Sequence, residues 1–132
     1  MLATIDWKTT AKSNILKAFL SLNIRVDENE FSQQLYTFFL GRLGLTVTLT
    51  DAALYLSVDK YYLCRLCRKN TGYSFHYMAM IVKMESAKAL LRTTNLRVNN
   101  ISDILAFSSV HYFNKVFKSY AGTSAGKYRR AV

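Results

Sequence analysis

Apolar residues return along this chain every three or four positions and seldom alternate, which is the period of helices buried on one side. Proline is absent and five glycines are spread over 132 residues, so few positions stop a helix once it has begun. A first helix carries Ile15, Leu16, Phe19 and Leu20, and the polar stretch "NIRVDENE" follows it. A second begins within residues 29–33, carries Leu35, Phe38, Phe39 and Arg42, and stops near Gly41 to Gly44, because glycine favours a helix end. Beyond Thr48 the helices shorten and the turns tighten. Thr48 or Thr50 can cap a helix bearing Ala52, Ala53 and Leu56; "SVD" forms a turn; Asp59 caps the next helix, its carboxylate on free backbone N–H groups. A long helix spans Ser74 to Arg92 and "NLRVNN" breaks it. A short helix with Val98, Ile101 and Leu105, a turn at "AFSS", a helix to Tyr120 and a last one around Lys127 follow. The expected fold is all-α.

The second half repeats the first. Leu63, Arg65, Leu66, Cys67, Arg68 and Gly72 match Phe113, Lys115, Val116, Phe117, Lys118 and Gly122 in chemical type at a shift of 50 residues. Upstream of the turn the shift is 49, pairing Leu49 with Val98, Ala52 with Ile101 and Leu56 with Leu105, so one turn holds one extra residue. A short helix, a tight turn and a second helix make a helix-turn-helix unit, and the chain holds two.

Helical geometry separates the faces of the paired second helices. Leu63, Leu66 and Cys67 point inward on one, with Tyr61, Cys64, Arg65 and Arg68 outward; Phe113, Val116, Phe117 and Tyr120 point inward on the other, with His111, Asn114, Lys115 and Lys118 outward. Polar and basic side chains at spacing 0, 3, 4 and 7 suit a helix lying in a major groove. Arg65 can bond guanine in bidentate fashion, Asn114 adenine, and Lys115 guanine. The long helix between the units, about 27 Å from its length, approaches the ~34 Å between successive major-groove faces. It serves as a spacer whose Phe75, Ala79, Val82 and Leu90 pack on both units, with the stripe Met78, Met80 and Met84 as packing.

Charge points to the same class of partner. The net charge is +10 with an isoelectric point near 9.8, which favours a polyanion. Residues 1–33 carry four bases and four acids, so the whole excess lies in residues 34–132, fourteen bases against four acids. Those acids (Asp51, Asp59, Glu85 and Asp103) come without a Gly-rich phosphate loop or nucleophile elbow, so no enzyme is expected. No apolar run has the length of a membrane span, no signal-peptide core opens the chain, and a cytoplasmic protein is expected.

The two cysteines form a Cys-x-x-Cys pattern. Cys67 takes the inward position equivalent to Phe117, a buried core residue, while Cys64 faces outward toward a base edge or thymine methyl. Zinc needs four ligands, and the two histidines, His76 and His111, stand on the long helix and on the other unit's outward face. Neither a metal nor a cofactor is expected.

The segments "LTDAALYLSVDKYYLCRLCRKNTGYSF" and "VNNISDILAFSSVHYFNKVFKSYAGTSAGKYRR", joined by "ESAKALLRTTNL", resemble the DNA-binding domain of AraC/XylS-type bacterial transcription regulators over residues 34–130. The resemblance implies about seven helices in two helix-turn-helix subdomains joined by a long linker helix, with an extra N-terminal helix here. It implies recognition of double-stranded DNA and activation of transcription by recruiting RNA polymerase. By motif position the base-reading residues are Tyr61, Cys64 and Arg65 in the first unit and Val110, His111, Asn114 and Lys115 in the second. Phosphates fall to the helix starts at Lys60 and at Ser108 to Ser109, with Arg68, Lys69, Lys118 and Arg129. The chain departs from the family pattern at Ala106 (usually Gly), Lys115 (Arg), Ala125 (Pro) and Ile81 (often Arg).

Residues 1–33 stand outside the resemblance as an N-terminal helical extension or interdomain linker, a candidate contact for a protein partner or a dimer. The chain is then either a complete single-domain regulator or the DNA-binding part of a longer one, with no small-molecule effector expected within it. The competing expectation is a degenerate member that works mainly by pairing with another regulator; outward Arg65, Asn114 and Lys115 argue against it.

Overall fold

A computed structural model describes residues 6–26, 29–43 and 47–131. The described residues form eight α-helices and no strand: α1 (Trp7–Ser21), α2 (Glu30–Leu40), α3 (Leu49–Leu56), α4 (Lys60–Thr71), α5 (Phe75–Thr93), α6 (Val98–Ile104), α7 (Val110–Ala121) and α8 (Ala125–Ala131). The all-α reading and the positions of the helices agree with the periodicity.

Short polar side chains set most of the starts by accepting hydrogen bonds from otherwise unpaired amides. Asn29 caps α2 through the Ser32 amide (2.7 Å), Thr48 caps α3 through Asp51 (3.0 Å), and Ser74 caps α5 through Tyr77 (3.1 Å). Gly41 ends α2 with a right-handed backbone (φ −78°), so its missing side chain is not what stops the helix. Gly44, the other residue expected there, lies outside the described residues, as do Asp27 and Glu28 of the connection before α2.

The two units share their turn geometry. The Ser57 amide donates to the Leu54 carbonyl and the Val58 amide to Ala53; 49 residues later Ala106 donates to Asp103 and Phe107 to Ser102. Both Ser57 (φ 58°) and Ala106 (φ 61°) adopt the left-handed conformation. The register becomes 50 at the caps, Asp59 and Ser109, which places the extra residue at Ser108 to Ser109. Gly72 (φ 83°) and Gly122 (φ 81°) then close α4 and α7 in the left-handed region, where a Cβ is strained. The repeat extends one step further, since Ser74 caps α5 and the Ser124 hydroxyl accepts from the Lys127 amide in α8.

Two apolar cores follow. The first gathers Phe19, Phe38, Phe39, Leu63, Cys67, Phe75 and Val82; the second gathers Met84, Leu90, Leu91, Ile101, Phe113 and Phe117. Helix α5 feeds both, as expected for a spacer, and Trp7 packs against the edge of each. Met78 and Met84 are buried packing residues, and Ile81 is buried in the first core.

The N-terminal helix is part of this body. Ala11, Ile15 and Phe19 are buried, and Phe19 meets Phe39 edge-on at 6.3 Å. Leu16 and Leu20, read from the sequence onto the same apolar side, are 38% and 52% exposed. The covered stripe is therefore the narrow one at 11, 15 and 19, and the boundary drawn after residue 33 falls inside α2.

Ala106 holds a backbone conformation that costs an L-residue about 1 kcal/mol or more. Ala106→Gly is expected to raise stability by roughly 0.5–1 kcal/mol after the entropy added to the unfolded chain is subtracted. Equilibrium urea unfolding measures it, and an unchanged or lower midpoint would refute the strain.

Candidate nucleic-acid interface

Helices α4 and α7 present their outward faces through the same alternation of buried and exposed positions. Leu63 and Cys67, like Phe113 and Phe117, are 0% exposed and lock each helix to its core. Burying an aromatic side chain of this size stabilises by roughly 1.5–3 kcal/mol. The outward set is thereby fixed: Tyr61, Arg65, Arg68 and Lys69 on α4, and His111, Asn114, Lys115 and Lys118 on α7, are all exposed, while Cys64 and Val110 are partly covered. Tyr120, placed inward by its spacing, is 37% exposed and turns its hydroxyl to Glu85 on α5 at 2.5 Å.

Among the described residues none of the cations on these faces has an ion-pair partner; the ion pair found is Lys88 with Glu85 at 3.4 Å, away from them. Arg65 is held from its own helix, its guanidinium carbon 5.5 Å from the Tyr62 ring centroid, a cation–π distance. Lys115 has no such support, because Tyr112, the equivalent of Tyr62, tilts onto Phe107 at 5.8 Å. Neither tyrosine was among the expected site residues. The signal was there, since Tyr62 and Tyr112 are the same residue at the 50-residue shift.

The two helix starts differ. The Asp59 carboxylate accepts from the Tyr61 and Tyr62 amides at 3.0 and 3.2 Å, so an anion near Lys60 would meet the lysine ammonium instead of those amides. On α7 the neutral Ser109 hydroxyl accepts from Tyr112 at 3.0 Å, and Ser108 is exposed beside it.

Arg129 departs from its expected role at phosphate. Its Nε donates to the Leu91 carbonyl at 3.0 Å, Nη1 to Leu96 at 2.6 Å and Nη2 to Thr94 at 3.1 Å. These carbonyls lie at the C-terminal end of α5 and just beyond, where unpaired carbonyls and the helix dipole favour a cation. The guanidinium is a structural cap, and a fork with all three nitrogens engaged has little left for a phosphate.

Burial pushes the Cys67 thiol up to about 12, with nearby Cys64 adding to the shift. Cys67 is thus a neutral core thiol. Burial likewise lowers the Lys83 ammonium, whose Nζ lies 4.8 Å from the Phe107 ring centroid.

A family model described as a helix-turn-helix domain matches residues 52–131, most of the chain and both units. The chain belongs to the AraC/XylS family of transcription regulators. Among AraC/XylS relatives, it is 30% identical over 92 residues to the Msm operon regulatory protein of Streptococcus mutans, covering 70% of this chain and 33% of that protein. It is 30% identical over 112 residues to the transcriptional activator PerA of Escherichia coli, covering 85% of this chain and 36% of that one. The chain therefore spans about a third of the length of these curated relatives. An AraC-type regulator from Chromobacterium violaceum shares the fold with TM-score 0.70 at 20% identity, over 77% of this chain and 95% of that one. So does the DNA-binding domain of AdpA, solved with a target DNA, with TM-score 0.66 at 20% identity over 75% and 89%.

Two outcomes are expected. With an aromatic disulfide reagent at pH 8, one thiol, Cys64, should react in the native protein, because Cys67 has only about one part in 10⁴ as thiolate. Equal labelling of both would show that Cys67 is accessible. Arg129→Ala should cost about 2–3 kcal/mol in urea unfolding while leaving the salt dependence of DNA affinity unchanged; a shallower slope with unaltered stability would restore the phosphate role.

Proposed function

We propose that this chain binds double-stranded DNA sequence-specifically and regulates transcription, with α4 and α7 each entering one of two successive major-groove segments. The observation that carries this reading is the repetition: two helices with the same buried anchors, the same left-handed glycine stop and matching exposed polar positions, mounted on one helix, α5. A family whose members are transcription regulators, and a fold shared with a domain solved on its target DNA, support it.

In this reading Arg65 contacts guanine, steadied by Tyr62, and Tyr61 and Cys64 lie against neighbouring bases. Asn114 contacts adenine and Lys115 guanine, with Val110 and His111 at the leading edge of α7. Lys115 offers a point charge where an arginine would offer a fork, so the second unit discriminates less sharply than the first. Lys60, Arg68, Lys69, Lys118 and the α7 start at Ser108 and Ser109 meet phosphates and set register without reading sequence. The chain acts as an activator that recruits RNA polymerase, in keeping with PerA being named an activator. Its chromosomal partner places that work in the cytoplasm. Exposed Leu16 and Leu20 on α1 remain the candidate contact for a protein partner in the N-terminal region.

Selection from random duplex DNA at about 150 mM salt, where nonspecific binding is suppressed, should return an asymmetric site with two preferred blocks about one helical turn apart. A palindrome, or no enrichment, would overturn two-headed reading by one subunit. On the selected site Arg65→Ala should cost ~1–3 kcal/mol and relax one or two base positions, whereas Lys118→Ala should weaken all sequences alike. Equal losses on specific and random DNA for Arg65→Ala would refute its base-reading role.

A further inference from the structure

Reading two blocks with one chain requires that the second head hold a fixed position and rotation relative to the first, and the structure contains a device for this that DNA contact does not explain. The carboxylate of Glu85, in the middle of α5, is buried (7% exposed), although charged side chains are rarely buried without a reason. Its Oε2 accepts from the Tyr120 hydroxyl on α7 and from Lys88 Nζ at 3.4 Å, and the same ammonium lies 4.9 Å from the Tyr120 ring centroid. Tyr120, Glu85 and Lys88 thus form a closed three-residue contact between the last turn of the second reading helix and the linker helix. The equivalent position in the first unit, Asn70, bonds within its own helix to the Leu66 carbonyl, so the contact belongs to the second head alone.

Arg129 supplies another attachment of the same head, on the carbonyls of Leu91, Thr94 and Leu96. Glu85 and Leu91 are six residues apart on α5, about 9 Å along its axis. One attachment leaves the head free to pivot about it in any direction, and a second, separated one restricts that pivot to a single axis. Both apolar cores touch α5, but apolar contact is non-directional and tolerates small rotations better than a charged hydrogen bond does.

We propose that Glu85 and Tyr120 are positioning residues that set the angle of the second head, and hence the spacing between DNA blocks that the chain accepts. The inference rests on two-headed DNA reading. Beside the contact, a cleft of about 290 Å³ lies between α1, α5 and α7, lined by Asn14, Lys17 and Ser21 as well as Glu85 and Tyr120. Glu85 and Tyr120 both line this cleft, so the carboxylate can take water when Tyr120 is altered.

The test measures affinity of the full chain for the selected two-block duplex, for the same duplex with one base pair added or removed between the blocks, and for each block alone. Wild type should prefer the native spacing. Tyr120→Phe, which keeps the ring and loses the hydroxyl, should lower two-block affinity about tenfold through reduced effective concentration of the second head. It should also flatten the spacing preference and leave single-block binding unchanged. Glu85→Gln keeps an acceptor for the hydroxyl and should retain most of the preference, whereas Glu85→Ala should lose it. Circular dichroism of each variant identifies any that has unfolded. A folded Tyr120→Phe with wild-type affinity and spacing preference overturns the positioning role. Wild type without any spacing preference overturns two-headed reading itself.

Discussion

The burial of α5 on all sides is the constraint on which the rest of the molecule depends. Eleven of its nineteen residues are buried, more than one face of a helix can supply. A helix covered all round needs partners all round, so α1 lies along it and each helix-turn-helix unit takes a part of its surface. Phe75, Ile81 and Val82 join the first core, and Met84, Leu90 and Leu91 join the second. The relation between α4 and α7 is therefore carried by one helix and not by a loop.

That arrangement explains why the polar exceptions on and beside α5 concern the second head. The first unit is tied to α5 by the short connection through Gly72 and Ser74 and by the large aromatic core around Phe39 and Phe75, whose rings stack at 5.4 Å. The second unit is smaller and returns to α5 from further along the chain. It uses directional contacts to do so: Tyr120 on Glu85, and Arg129 on the exposed carbonyls at the helix end. Hydrogen bonds that involve a charge are stronger and more demanding in geometry than apolar contact.

Internal repetition also makes the differences between the heads interpretable. Backbone turns, glycine stops and core anchors coincide, so what differs at equivalent positions is chemistry laid on a common frame. Arginine supported by tyrosine faces lysine without such support, an acidic cap faces a hydroxyl cap, and cysteine faces asparagine. The first unit thus carries a supported guanidinium and an acidic helix start, and the second an unsupported ammonium and a neutral helix start.

Much of this was legible in the sequence because it is local. Periodicity placed the helices, the caps at Thr48 and Asp59 placed the starts of α3 and α4, and the 50-residue shift separated inward from outward positions on α4 and α7, since a helix anchored by Leu63 and Cys67 has no freedom over where Arg65 and Arg68 point. Contacts between residues far apart in the chain were not legible. Nothing in the spacing of Arg129 distinguishes a phosphate contact from a cap on carbonyls 33 to 38 residues away. Nor does Tyr120 at a core-like position show that its hydroxyl would meet a carboxylate 35 residues earlier. The apolar pattern of α1 grouped Ile15, Leu16, Phe19 and Leu20, and packing against α5 buried Ile15 and Phe19 together with Ala11 and left Leu16 and Leu20 exposed. Local propensity and repetition determined the elements and the faces of α4 and α7; tertiary packing decided which polar groups are turned inward, because burial makes an unpaired charge too costly to leave alone.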